Sequence, residues 1–149
     1  MKLFHSFLAA VAATAACASA HAALGEGAAT VETDRQQLRA SVTRTSGPAF
    51  TVHELATGNG GVVREYVSAA GTVFAVTWHG PFLPNLRQVL GAHFDRVAQS
   101  TNRQEGGRGH LTVTEGNLVF VSTGHMRSFH GQAYLRDAIP SGVSTNDIQ

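Results

Sequence analysis

Residues 50–79 read FTVHELA-TGNGG-VVREYVS-AAG-TVFAVTWH, three β-rich runs split by two glycine-containing turns. That pattern predicts a three-stranded antiparallel meander. Its register can be argued from charge. A loop of Gly58, Asn59 and Gly60 sets Leu55 opposite Val63, Glu54 opposite Arg64 and His53 opposite Glu65. A slip of one residue would set Glu54 against Glu65, and like charges directly opposite one another are unfavourable. The same loop length at Ala69, Ala70 and Gly71 sets Tyr66 opposite Phe74 and Val62 opposite Trp78. One face then carries Phe50, Val52, Val62, Tyr66, Phe74, Val76 and Trp78 and is the expected core, with His53 and Glu65 on the side away from it.

The flanking sequence supplies the other elements. Thr33-x-x-Gln36 has the form of a capping box, with Asp34 in the first turn where the helix dipole favours an acid. A short helix is expected over 33–41, ended by Gly47-Pro48. Pro84 suits a first helical turn, and Leu86, Val89, Leu90, His93, Phe94 and Val97 recur at helical spacing, which predicts a helix over 84–98. Residues 99–109 read as a mobile loop, and 110–135 as a second three-stranded meander interrupted by EGN and GHM. A turn-rich tail occupies 136–149. The expectation is an α+β fold with two antiparallel three-stranded meanders and two helices in a single domain, 23–149, entered by a flexible arm at 23–29.

Residues 1–22 have the form of an export signal: Lys2, an apolar run from Phe4 to Ala16, and a small-x-small site at Ala20-His21-Ala22. Cleavage between Ala22 and Ala23 predicts a periplasmic or secreted protein. A lipid-modified Cys17 is the rival reading, disfavoured by Thr14 where such signals usually carry Leu. No second apolar run follows, so no transmembrane anchor is expected. Cleavage also removes the only cysteine and the only lysine, leaving ten arginines against ten acids. Thiolate and Schiff-base chemistry are excluded. So is nucleic-acid binding, which needs an excess of cations along one face.

The densest polar cluster is GHMRSFHG, residues 124–131. In one continuous strand His125, Arg127 and Phe129 share a face and His130 takes the other. In a helix the separation of five misses the i, i+4 spacing that chelates zinc. Neither geometry puts both imidazoles on one ion, so no metal site and no cofactor are expected. His53 opposite Glu65 is the candidate base and orienter, since a carboxylate can hold an imidazole's tautomer; a plain cross-strand pair is the alternative. His79 reads as a strand-end residue, His93 as a helix-boundary residue and His110 as a solvated one. Arg64, Arg127 and Arg136 lie among Tyr66, Phe129 and Tyr134 and could form a carboxylate- or glycan-binding face, or simply pair with acids such as Glu54. No Gly-x-Ser-x-Gly elbow surrounds a serine, and GGRG at 106–109 lacks the phosphate-loop pattern.

VHEL, GGVVREYVSAAGTVFAVTWHGPFLPNLRQVLG and GHMRSFHGQAYLRDAIPSGVSTNDIQ, with the leader, together resemble a family of small exported bacterial proteins catalogued as domain of unknown function 2844. The family pattern often has Asp at the position of Asn85. The resemblance implies export and one domain, and brings no activity, cofactor or catalytic residue. The resulting expectation is a binding or envelope-accessory module whose partner is an unknown envelope protein or small ligand. Its binding region is expected at His53, Arg64, Glu65 and Trp78, with Arg127 and His130 also candidates. The alternatives are a small hydrolase using His53 and Glu65, and a structural protein that self-associates through an open sheet edge.

Overall fold

The structure, a computed structural model, describes residues 24–103 and 109–149. The leader with Cys17, and residues 104–108 of the expected mobile loop and of GGRG, lie outside the described residues. Seven strands form one antiparallel sheet: β1 Ser41–Ser46, β2 Phe50–Ala56, β3 Val62–Ser68, β4 Val73–Gly80, β5 His110–Glu115, β6 Leu118–His125 and β7 Ser128–Leu135. Their order is β1-β2-β3-β4-β7-β6-β5. The first four strands are a meander. The chain then crosses one face through helices α2, Leu86–Leu90, and α3, Phe94–Arg103, and returns as a three-stranded meander whose last strand pairs with β4. Two three-stranded meanders were expected; the first has a fourth strand, and the two halves merge into one sheet.

The extra strand is β1. The helix expected to 41 is α1, Thr30–Gln37. Arg39 then takes a left-handed φ of 49°, and the β-branched Val42, Thr43 and Thr45 continue as an edge strand. Every residue of β1 is exposed, so it lacks the alternation that announces a half-buried strand. The capping box at Thr33 does not form. The helix begins a turn earlier, where the Thr30 hydroxyl donates to Gly27 O at 2.6 Å, and Asp34 points into the core. Residues 24–29, expected as a flexible arm, are pinned: Leu24 N donates to Val89 O, Gly25 N to Val73 O and Ala28 N to Gly71 O. The helix expected over 84–98 is broken at Gly91, φ 51°, and α3 runs on to Arg103. Asn85 accepts from Gln88 N at 3.4 Å and so caps α2, a role Asp would also fill. Among the described residues no helix is long and apolar enough to cross a membrane.

The first hairpin has the expected register, with Leu55 opposite Val63, Glu54 opposite Arg64 and His53 opposite Glu65. The second does not. Tyr66 faces Ala75, Val63 faces Trp78 and Val62 faces His79, because Phe74 is an extra residue in a bulge. A slip of one exchanges faces. The expected core face therefore splits. Val76 and Trp78 lie under the helices with Leu55, Val63, Phe120, Leu118, Val89, Leu90 and Val97. Phe50, Val52, Tyr66 and Phe74 lie on the opposite face, covered by the tail through Ile139, Val143 and Ile148. The tail is held there because Arg64 Nη1 donates to Gln149 O at 3.0 Å and Tyr66 Oη accepts from Gln149 N at 2.9 Å.

Candidate functional site

His53 and Glu65 are opposite one another, but not on an outer face. Glu65 is 2 % exposed beneath α1, on the helix-covered side. Gln88 Nε2 donates to Asp34 Oδ1 at 2.7 Å, so an amide from α2 and an acid from α1 meet over β3. Burial, then a hydrogen bond to Asp34, then the Asp34 charge push the Glu65 carboxyl up to about 9. Two carboxyls so close cannot both ionise in a dry setting. At neutral pH Glu65 is an acid holding its proton. Its Oε2 and the Nε1 of Trp78 are buried without a hydrogen-bond partner among the described residues. His53 is half-buried on the same face, its pKa lowered by burial and then by Arg44, with no contribution from Glu65. A neutral acid cannot supply the charge that would sharpen an imidazole base.

Trp78 is also internal. Its ring lies 5.6 Å from that of Phe120 and over Gly131, where a Cβ would come within 2.1 Å of Cζ2. Arg64 binds Glu54 at 2.7 Å on the opposite face and clamps the tail. The predicted rim of His53, Arg64, Glu65 and Trp78 is thus divided between two faces and partly buried. Arg136 lies in a short helical turn after β7, and its backbone N donates to Asn117 O.

A concavity the sequence reading missed lies at the end of the helix-covered layer. It encloses about 480 Å³ between the end of α1, the β2–β3 loop and the β4–α2 connection. Leu38, Val62, Phe82, Leu83 and Pro84 form apolar wall; Arg39, Asn59 and Gln88 bring polar groups to it, and the end of β4 at His79 borders it. No acid lines it. Phe82 and Leu83 are 54 % and 43 % exposed. Gly80 and Gly61 meet so closely that a Cβ on Gly80 would stand 2.7 Å from Gly61 Cα, which brings the two loops together. The sequence signal was the exposed Pro-Phe-Leu-Pro itself.

GHMRSFHG is a hairpin, not one strand. Met126 and Arg127 form its tip, with Arg127 in the left-handed region at φ 64°, and His125 stands opposite Ser128. Folding back restores the parity, so His125 and His130 share a face, contrary to expectation. The same face carries a row across four strands: His79 opposite His130, His130 opposite Thr123, Thr123 opposite His110. His79 and His130 are stacked with centroids 6.5 Å apart and planes 15° apart. His110, His125 and His130 line one cavity of about 640 Å³ with Thr123 and Ser128. Four imidazoles, two of them (His125 and His130) expected on opposite faces, therefore share one face. Arg127 is exposed at the hairpin tip beside them.

No curated protein and no solved structure matches the chain. One family model does, over residues 20–148, a span that takes in both faces of the sheet, the groove and the histidine row. The chain belongs to the family described as Protein of unknown function (DUF2844).

Proposed function

We propose that this chain is an exported binding module, and that its ligand is a small amphipathic anion or an anionic peptide end seated in the groove beside Phe82. The carrying observation is the lining of that groove. An apolar wall and a few convergent polar groups are the usual composition of a small-ligand site, and the volume of about 480 Å³ falls in the usual range. The bias to anions comes from Arg39, which faces no acid among the described residues that line the groove. The hydrolase alternative has no comparable support, since Glu65 is buried and protonated. Export is supported by the leader at 1–22.

Two measurements test the reading. Sequencing the protein recovered from the envelope or medium should begin at Ala23; retention of the leader in the mature protein overturns export. NMR titration with a medium-chain carboxylate should move the resonances of Leu38, Val62 and Phe82, while the matching alcohol binds more weakly. Arg39→Ala should weaken the carboxylate by about tenfold, the cost of one charge-assisted contact. Shifts confined to other surfaces, or an alcohol that binds as well as the acid, overturn the ligand class.

A further inference from the structure

The hairpin β6–β7 does something no reading of the groove requires. It gathers His110, His125 and His130 around one cavity on the opposite, helix-free face of the sheet. We propose that this cavity is a site for one divalent transition-metal ion of the copper or zinc class, bound by these three imidazoles.

The placement is set by backbone, not by chance contact of side chains. His125 is diagonal to both His130 and His110 across its two neighbouring strands. Diagonal positions on one face lie about 7–8 Å apart, within reach of long side chains. His110 and His130 flank Thr123, two strand spacings or roughly 10 Å apart, with His125 displaced to one side between them. Three imidazoles at the corners of such a triangle can turn inward onto one ion. In this structure their rings stand apart: among the described residues no three His, Cys, Asp or Glu side chains are gathered closely enough to hold a metal. All three histidines are exposed, and the cavity of about 640 Å³ leaves room for the rings to swing. Rotation of exposed side chains is fast and needs no backbone movement.

The donor set selects the ion. Nitrogen ligands suit copper, nickel and zinc, whereas magnesium and calcium demand oxygen. Among the described residues that line the cavity there is no carboxylate. Hydroxyl partners are already in place for two rings. Ser128 Oγ lies 3.1 Å from His130 Nε2, and Thr112 Oγ1 lies 3.0 Å from His110 Nε2. A hydroxyl kept on one ring nitrogen as the ring turns inward would fix the tautomer and leave the other nitrogen for the metal. Arg127 holds a left-handed backbone at the tip that a non-glycine residue adopts at a cost, and this tight tip is what returns His130 to the face of His125.

Calorimetric titration of the untagged chain with Cu²⁺, Zn²⁺ and Mg²⁺ at pH 7.5 is the test. One ion of copper or zinc per chain and no heat with magnesium are expected. His125→Ala and His130→Ala should each weaken binding by about tenfold or more, a loss comparable to that seen when a metal site is disturbed. His53→Ala and His93→Ala, remote from the cavity, should leave it within twofold, and circular dichroism should show all four variants folded. Absence of binding, binding that survives both cavity substitutions, or an equal loss in the two remote variants each overturns the site.

Discussion

A carboxylic acid kept protonated at neutral pH leaves a mark on stability. Glu65 is held at about 9 in the fold, chiefly by burial, against a usual carboxyl value near 4.3. Between those values the folded chain holds a proton that the unfolded chain has released, so stability falls as pH rises through the window. His53 and His93 act in the opposite sense but elsewhere. Burial lowers both, so their contribution is lost as pH falls below about 6.5 and is constant above it. The interval from pH 7 to 9 therefore isolates Glu65 from them. Urea unfolding across that interval should show a falling midpoint in the natural sequence and a flatter one in Glu65→Gln, which keeps a donor and an acceptor without a titrating proton. A Glu65→Gln midpoint that falls as steeply as the original would remove Glu65 as the cause. None of this was legible from spacing alone. The pairing of His53 with Glu65 could be read from the charges of Glu54 and Arg64. The face could not, because it depends on which side the helices cover.

At the scale of strands and helices, what could be read was whatever declared itself through charge or periodicity. The β2–β3 hairpin did, through Glu54 and Arg64. The strand β1 did not, since Ser41, Thr43, Arg44 and Thr45 offer no apolar alternation to a solvent-exposed edge. The bulge at Phe74 is invisible in the loop length, yet it moves Trp78 to the helix side and His79 to the other. The hairpin at Met126–Arg127 carries no Gly or Asn, so the usual turn signal is missing just where it changes which histidines meet. Trp78 after that shift needs a flat floor, and Gly131 opposite it provides one. An added methyl there would meet the indole at 2.1 Å and the carbonyl oxygen of Val121 at 2.7 Å. Neither the wedged ring nor a sheet backbone can withdraw. Gly131→Ala should therefore cost roughly 2–3 kcal/mol, as overpacking of a filled core does, and quench or shift the fluorescence of the chain's one Trp. A cost within error of zero by urea unfolding would mean that Trp78 does not lie across β7.

Across the whole molecule, the two meanders would remain two if β4 and β7 did not pair at the centre, and the helical crossover between them is what permits that antiparallel union. The layer over the sheet is then closed from the N-terminal side. Leu24 is 1 % exposed and its amide donates to Val89 of α2, while Gly25 binds Val73 of β4. The segment that small residues made look like a loose arm is thus a strap joining helix layer to sheet, next to the expected processing point. The two views differ in a measurable way. Loss of a buried leucine to alanine costs about 2–5 kcal/mol, whereas truncating a solvated side chain costs almost nothing. Leu24→Ala should fall in the first range by urea unfolding. Met126→Ala, at a position 94 % exposed, should fall in the second. If the two substitutions prove equally silent, the strap is not part of the fold, and Asp34, carried by the helix that follows it, has no fixed place above Glu65.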